Sequence, residues 1–246
     1  MNYYNEYDRK TAAWLRALID QGSIPPGEVD ERSITDVEPT DLVGYTQCHF
    51  FAGIGGWSEA LRLAGWPADQ PVWTGSCPCQ PFSTGANDSA QGTGDKRDLW
   101  PCFYELISQR KPTRVIGEQI KNSISWGWYD RAKMDLEKSG YAVAAAILRS
   151  DAFGAFHQRK RLYWVGDTCG QGRKGFIQER SLSCRSVAAL RQHGDPIARA
   201  RLALAGDFGD LLLRNGVSVG MERSRIHGYG NAIMPQVAAE FIKAAL

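Results

Sequence analysis

The sequence predicts an α/β fold with a mainly parallel sheet, and three observations carry that reading. Short aromatic and β-branched runs alternate with stretches of helical periodicity. Glycines follow directly on several of the strand-like runs, where a strand turning into a helix needs them. The chain is 246 residues long with 43% apolar and 23% charged residues, enough for one large core or a core plus a small appendage. Disordered and fibrous classes are excluded, and no run of about 18 apolar residues exists to cross a membrane.

The elements follow in order. Residues 9–21 (RKTAAWLRALIDQ) predict a short amphipathic helix, with Ala13, Leu15, Leu18 and Ile19 near helical spacing and Gly22 as its stop. A Pro-Pro-Gly turn at 25–27 comes next, and 33–42 reads as a short extended piece with turn residues. Residues 45–54 (YTQCHFFAGI) read as a buried strand running into Gly53-Ile54-Gly55-Gly56, then a helix over 58–64. Residues 72–74 form a second strand, opening into a loop over 75–94. A helix over 100–110 carries Pro101 near its start, where a missing N–H costs nothing. A third strand over 115–117, a helix over 128–139 stopped by Gly140, strands over 141–148 and 161–166, and an amphipathic helix over 235–246 complete the chain.

Charge is unevenly spread. The net charge is +2, yet residues 168–229 hold ten Lys or Arg against five acids, leaving −3 for the rest. A basic module on a mildly acidic body suits a polyanion-binding appendage as well as it suits a solvated arginine-rich face. The six cysteines form no CxxC pair and no ligand pattern with the four histidines, so no structural metal is expected. The N-terminus lacks the basic and apolar regions of a signal peptide, which predicts a cytoplasmic protein with reduced thiols.

Four places have the residue types of a reactive site. Phe51-Ala52-Gly53-Ile54-Gly55-Gly56 lies where a strand becomes a helix, offering close backbone approach and free N–H groups, although any tight βα turn wants glycine. Ser76-Cys77-Pro78-Cys79-Gln80-Pro81-Phe82-Ser83 follows the second strand, at the sheet edge where α/β proteins bind ligands. A thiol fixed between prolines there is either a nucleophile or a buried Cys in a rigid turn. Glu118 sits at the predicted end of the third strand, where burial would keep a carboxyl protonated. Arg159 and Arg161 share one face of an extended segment with His157, and Gly230-Asn231-Ala232-Ile233-Met234-Pro235 leads into the last helix.

Taken in this order, FAGIGG, PCQPFS, a strand-end Glu, RxR and GNAIMP closely resemble the DNA cytosine-C5 methyltransferase family, over roughly 45–167 and 228–246. The resemblance is to a short, phage-like or prophage-like member. It implies a class I, Rossmann-like methyltransferase sheet, shortened or rearranged, with a small target-recognition insert. Residues 45–167 would then be the catalytic domain, 168–227 a basic target-recognition region, and 228–246 a loop and helix returning to the catalytic domain. It also implies that Cys79 attacks C6 of a flipped-out cytosine, that Glu118 stands on the ring's N3 edge, and that Arg159 and Arg161 hold the base carbonyl. Phe51, Ala52, Gly53, Ile54, Gly55, Gly56, Pro78, Leu99, Asn231 and Ala232 would line the S-adenosylmethionine site. Gln80, Ser83, Arg173, Lys174, Arg180 and Arg185 would contact DNA, without metal or membrane, in a bacterial or phage-infected cytoplasm. A monomer fits this reading, and so does a chain with a partner subunit.

Three departures from the family pattern stand out. The usual Glu-Asn-Val is Glu118-Gln119-Ile120, and the usual Gln heading the arginine strand is His157. Only 22 positions separate Gly56 from Pro78, where the family places two further strand–helix units and the acids that bind the cofactor's ribose and adenine. Residues 1–44 would be an N-terminal helix with a displaced sheet-edge segment, and the expectation is a rearranged order in which residues 23–44 supply the missing sheet edge, with Asp30, Glu31 or Asp36 as the replacement acid. Other outcomes stay open. The same activation of cytosine could serve a different electrophile or a deamination, and the chain could be a catalytically weak DNA-binding relic needing a partner.

Overall fold

The structure is a computed structural model that describes residues 1–78, 98–153, 159–168 and 232–245. Seven strands form one sheet: β1 (Asn2–Asn5), β2 (Gly27–Asp30), β3 (Gln47–Phe50), β4 (Val72–Gly75), β5 (Arg114–Ile120), β6 (Ala142–Arg149) and β7 (Lys160–Asp167). Their order is β2-β1-β3-β4-β5-β7-β6. The first four pairings are parallel, and β7 runs antiparallel between β5 and β6. Parallel neighbours need crossovers, which are supplied by α1 (Arg9–Asp20), α2 (Gly56–Ala64) and α3 (Trp100–Arg110), while α4 (Trp128–Lys138) joins β5 to β6. The chain returns in α5 (Pro235–Ala245). This is the doubly wound, Rossmann-like sheet that the resemblance implies.

Most predicted elements are present within a residue or two. Two strands escaped prediction. The four-residue β1 and β2 are too short to show periodicity, and β1 reads NYYN, half of it polar. Together they build the sheet edge, β1 pairing with β3 and β2 outside it. The piece over 33–42, expected to be extended, is instead two single 3₁₀ turns, Ile34–Asp36 and Pro39–Leu42. The hydroxyl of Ser33 caps the first, and Pro39 starts the second with the φ it prefers. β5 also runs three residues past the predicted Gly117, so Glu118 lies inside a strand and not at its end.

Both faces of the sheet are covered. On one, Phe50, Trp73, Val115, Leu162 and Trp164 pack against Trp100 and Phe103 of α3 and Trp128 and Leu136 of α4. On the other, Ile116, Tyr163 and Val165 meet Trp57 and Leu61 of α2 and Val237 and Phe241 of α5, while α1 packs Leu15 and Leu18 on Tyr4. Glycine is obligatory at 117. A Cβ there would lie 2.2 Å from the Trp164 ring and 2.6 Å from the Gly75 carbonyl.

One buried polar group makes the fold sensitive to acid. His49 of β3 is enclosed, its Nδ1 2.8 Å from Thr74 Oγ1 and its ring stacked on Tyr4, with Nε2 unpartnered. Burial pushes its pKa down to about 3, so the folded state holds it neutral. Below about pH 6.5 the unfolded chain takes up a proton that the folded chain refuses, and stability falls until the folded group also titrates near pH 3. At pH 5 the loss attributable to His49 is about 2 kcal/mol. Urea unfolding at pH 7 and pH 5, wild type against His49→Asn, measures it as the part of the acid loss that the variant lacks.

Candidate functional site

The carboxyl ends of β1, β3, β4 and β5 converge on one edge, and three groups of residues meet there. The first is the turn after β3. Phe51 takes a positive φ of 53°, Gly53 and Gly55 follow at 57° and 78°, and Gly55 opens α2 with no side-chain cap. That leaves the first N–H groups of a nine-residue helix open at the sheet edge. A Cβ on Gly53 would meet nothing within 4 Å, so open space lies against this turn. Gly56 has a different reason, since a Cβ would come 2.9 Å from Ile233, which brings the GNAIMP segment onto the glycine turn.

A carboxylate that the sequence reading missed stands beside this turn. Glu6 follows β1 directly, and its two oxygens accept the Gly53 N–H at 2.8 Å and the Asp8 N–H at 2.9 Å. Burial raises its pKa, against the lowering effect of those two amides. The three acids expected in its place are occupied elsewhere. Asp30 is held by Arg32 and the Tyr3 hydroxyl, and Glu31 pairs with Arg16. Asp36 turns back to accept from Thr35 within its own 3₁₀ turn. A signal for Glu6 was available, because it is the first acid after a strand whose neighbour carries the glycine turn; the missed strand hid it.

The second group surrounds Glu118. This carboxyl is buried and lies 2.7 Å from Arg161 Nε across the antiparallel β5–β7 pair. Burial raises its pKa, while Arg161 and then Arg159 pull the other way. Ser150 Oγ accepts the Arg159 N–H at 3.0 Å and donates to the Arg159 carbonyl, fixing the start of β7. Arg159, Arg161 and Tyr163 share one face of β7 and line a small cleft with Leu148, Ser150, Met234 and Val237. The GNAIMP segment thereby touches both the glycine turn and the arginine strand.

The third group is the start of the cysteine loop. Ser76 Oγ accepts from Trp57 Nε1 at 3.0 Å, and the Cys77 carbonyl accepts from Gln119 Nε2 at 3.3 Å. Gln119, the departure from the family pattern, thus ties the Glu118 strand to the start of the cysteine loop. Its Oε1 folds back on the Ile120 N–H. Cys77 is buried, and burial drives its thiol pKa well up, so it is a structural thiol. Pro78 is half-buried, and Leu99, also half-buried, caps the N-terminus of α3 and packs on the core. Ala232 packs beside Ile54 and Ala52. Cys79, Gln80, Ser83, His157, Arg173, Lys174, Arg180, Arg185 and Asn231 lie outside the described residues, as do nearly all of 168–227.

Comparison with known proteins adds the family. The model of the C-5 cytosine-specific DNA methylases matches residues 66–183. Among solved structures, the chain is similar to a Spodoptera frugiperda DNMT2 mutant at 11% identity and TM-score 0.43, covering 73% of this chain and 55% of that one. The Dnmt2 methyltransferase of S. pombe gives 12% identity and TM-score 0.43, with 74% and 58% covered. A putative DNA modification methyltransferase encoded in an E. coli prophage gives 15% and 0.39, with 68% and 46% covered. The chain therefore spans about half the length of the solved structures it matches. The stretch that matches the family model begins just after α2 and takes in the cysteine loop, the Glu118 strand and the arginine strand, a little under half of the chain.

Proposed function

We propose that the protein transfers a methyl group from S-adenosylmethionine to C5 of cytosine in DNA. The observation that carries this reading is the buried Glu118–Arg161 pair, tied through neighbouring Gln119 to the residue from which the Cys79 loop departs. C5 of cytosine is a poor nucleophile until a thiolate adds at C6, and the base has to leave the helical stack to be reached.

The residues at the glycine turn fit the methyl donor. Open helix N–H groups and close backbone approach suit its amino-acid part, and Glu6 can accept hydrogen bonds from a ribose diol. Tyr7, next in sequence and exposed, offers a ring to an adenine face. When bound, S-adenosylmethionine supplies an electrophilic methyl group to C5.

The chain's own groups do the rest. The Cys79 sulfur bonds to C6, and Glu118, whose pKa burial raises against the pull of Arg161 and Arg159, gives a proton to N3, so the electrons of the ring collect at C5. Arg161 and Arg159 steady the ring carbonyl and the developing charge. Once C5 carries its methyl group, loss of the C5 proton and expulsion of the Cys79 thiolate restore the aromatic ring, and the N3 proton returns to the Glu118 carboxylate. The Arg-rich stretch 168–227 supplies phosphate contacts, which give affinity without sequence choice.

The test is nucleoside mass spectrometry of DNA incubated with the protein and methyl-labelled S-adenosylmethionine, with Cys79→Ala in parallel. Labelled 5-methylcytosine that disappears in the variant is the expected result. Unmodified cytosine in both samples sinks the activity, and uracil or another cytosine mass replaces the methyl donor by a different chemistry.

A further inference from the structure

All eight tryptophans of the chain lie among the described residues, and Trp126 is the one that is exposed, at 46% against 1% for Trp128 two positions on. It sits in the short connection from β5 to α4, directly after the strand that carries Glu118 and Gln119, and so on the edge where the candidate site lies. This connection is tightly wound. Ile124 N–H bonds the Lys121 carbonyl, Trp126 N–H the Asn122 carbonyl and Gly127 N–H the Ile124 carbonyl, while Ser125 Oγ also donates to Asn122. Fully buried Ser123 on one side and Trp128 on the other anchor it in the core. The indole is thus held outward on a fixed support, at a hydrophobic cost the fold does not recover.

Its surroundings give the partner's chemistry. Lys121 and Asn122 are exposed on the same turn, and Lys121 has no acidic partner among the described residues. An exposed aromatic ring on one tightly wound connection with a cation that has no acidic partner among the described residues, and with an amide, is the combination that takes a stacked base together with its phosphate. We infer that Trp126 is a stacking platform for an unpaired base of the DNA strand that enters the site, with Lys121 on the adjoining phosphate. This rests on the proposed reading that cytosine in DNA is the substrate. It adds a substrate-positioning residue outside the motifs, on a turn that does not touch the reacting ring.

Fluorescence anisotropy with a labelled, cytosine-containing single-stranded oligodeoxynucleotide tests the inference at fixed salt, alongside methyl transfer to the same strand. Trp126→Ala should weaken binding about tenfold and raise KM for DNA with little change in kcat, since each stacked base contributes about 1–3 kcal/mol. Trp126→Phe should keep most of the affinity, and the thermal midpoint of both variants should match wild type. Lys121→Ala should flatten the salt dependence by about one phosphate contact. If Trp126→Ala binds and methylates like wild type, the platform is overturned and the proposed function stands. If the wild-type protein neither binds nor methylates the strand, the platform is overturned, while methylation of duplex DNA in the same assay keeps the proposed function and its absence there removes that too. A Trp126→Ala variant that loses kcat at unchanged affinity also overturns the platform.

Discussion

Glu6→Ala is expected to weaken S-adenosylmethionine binding by about a hundredfold or more, read by calorimetry or equilibrium dialysis. A carboxylate that accepts from two ribose hydroxyls makes charge-assisted hydrogen bonds, each worth roughly 1.5–3 kcal/mol, and alanine removes both. The variant also frees the Gly53 and Asp8 N–H groups; the Asp8 bond is exposed and the part-buried Gly53 turn has open space against it, so water can replace the carboxylate. Glu6→Gln separates the two roles, since it keeps an oxygen for Gly53 and loses the charge. Asp30→Ala, Glu31→Ala and Asp36→Ala should leave donor affinity unchanged, because their carboxylates are engaged by Arg32, Arg16 and Thr35. Loss of donor binding in one of those three, with Glu6→Ala silent, would move the ribose ligand to the β2 edge.

Glu6 also marks how far the sequence could be read. The strings FAGIGG, PCQPFS and GNAIMP carry the resemblance to the family, FAGIGG falls on the expected sheet edge, and the shortfall between Gly56 and Pro78 was visible as an arithmetical gap. What was hidden is where the missing units went. The strand order β2-β1-β3-β4 shows two edge strands and their helix placed before the glycine turn in the chain and beside it in space. Only α1, with twelve residues and a polar–apolar stripe, is long enough to be periodic; its flanking strands of four residues are not. Sequence reading therefore found the helix and assigned the edge to 23–44, while β1 begins at residue 2. Register is the second hidden quantity. Glu118 and Arg161 are recognisable as residue types, but their 2.7 Å contact depends on β7 pairing antiparallel with β5 so that Glu118 faces Tyr163. A one-residue slip would turn Glu118 to the opposite face, against Trp100 and Trp164.

That contact makes Glu118→Gln the second large effect. Turnover should fall by about 10²–10⁴-fold while the protein stays folded. Glutamine keeps the shape and can still donate to a ring nitrogen, but it has no proton to give up or take back as N3 gains and loses basicity. The pH profile distinguishes this from simple misplacement. Burial holds the Glu118 pKa above its ordinary value, so the wild-type kcat/KM should decline on the alkaline side as this proton leaves, and the decline should be missing in Glu118→Gln. Stability responds to two opposed effects. Removing a carboxylate that burial disfavours when charged gains stability as pH rises through its raised pKa, and leaving Arg161 without its anion loses some. Arg161 keeps 23% of its side chain in solvent, so water compensates much of that loss, and the thermal midpoint should move by only a few degrees. Glu118→Asp sharpens the test. It retains the proton but withdraws it by one methylene from both Arg161 and the base, and it should keep the alkaline decline at a lower rate. A Glu118→Gln enzyme that turns over at the wild-type rate would exclude proton donation by this residue, whatever the fate of the Cys79 adduct.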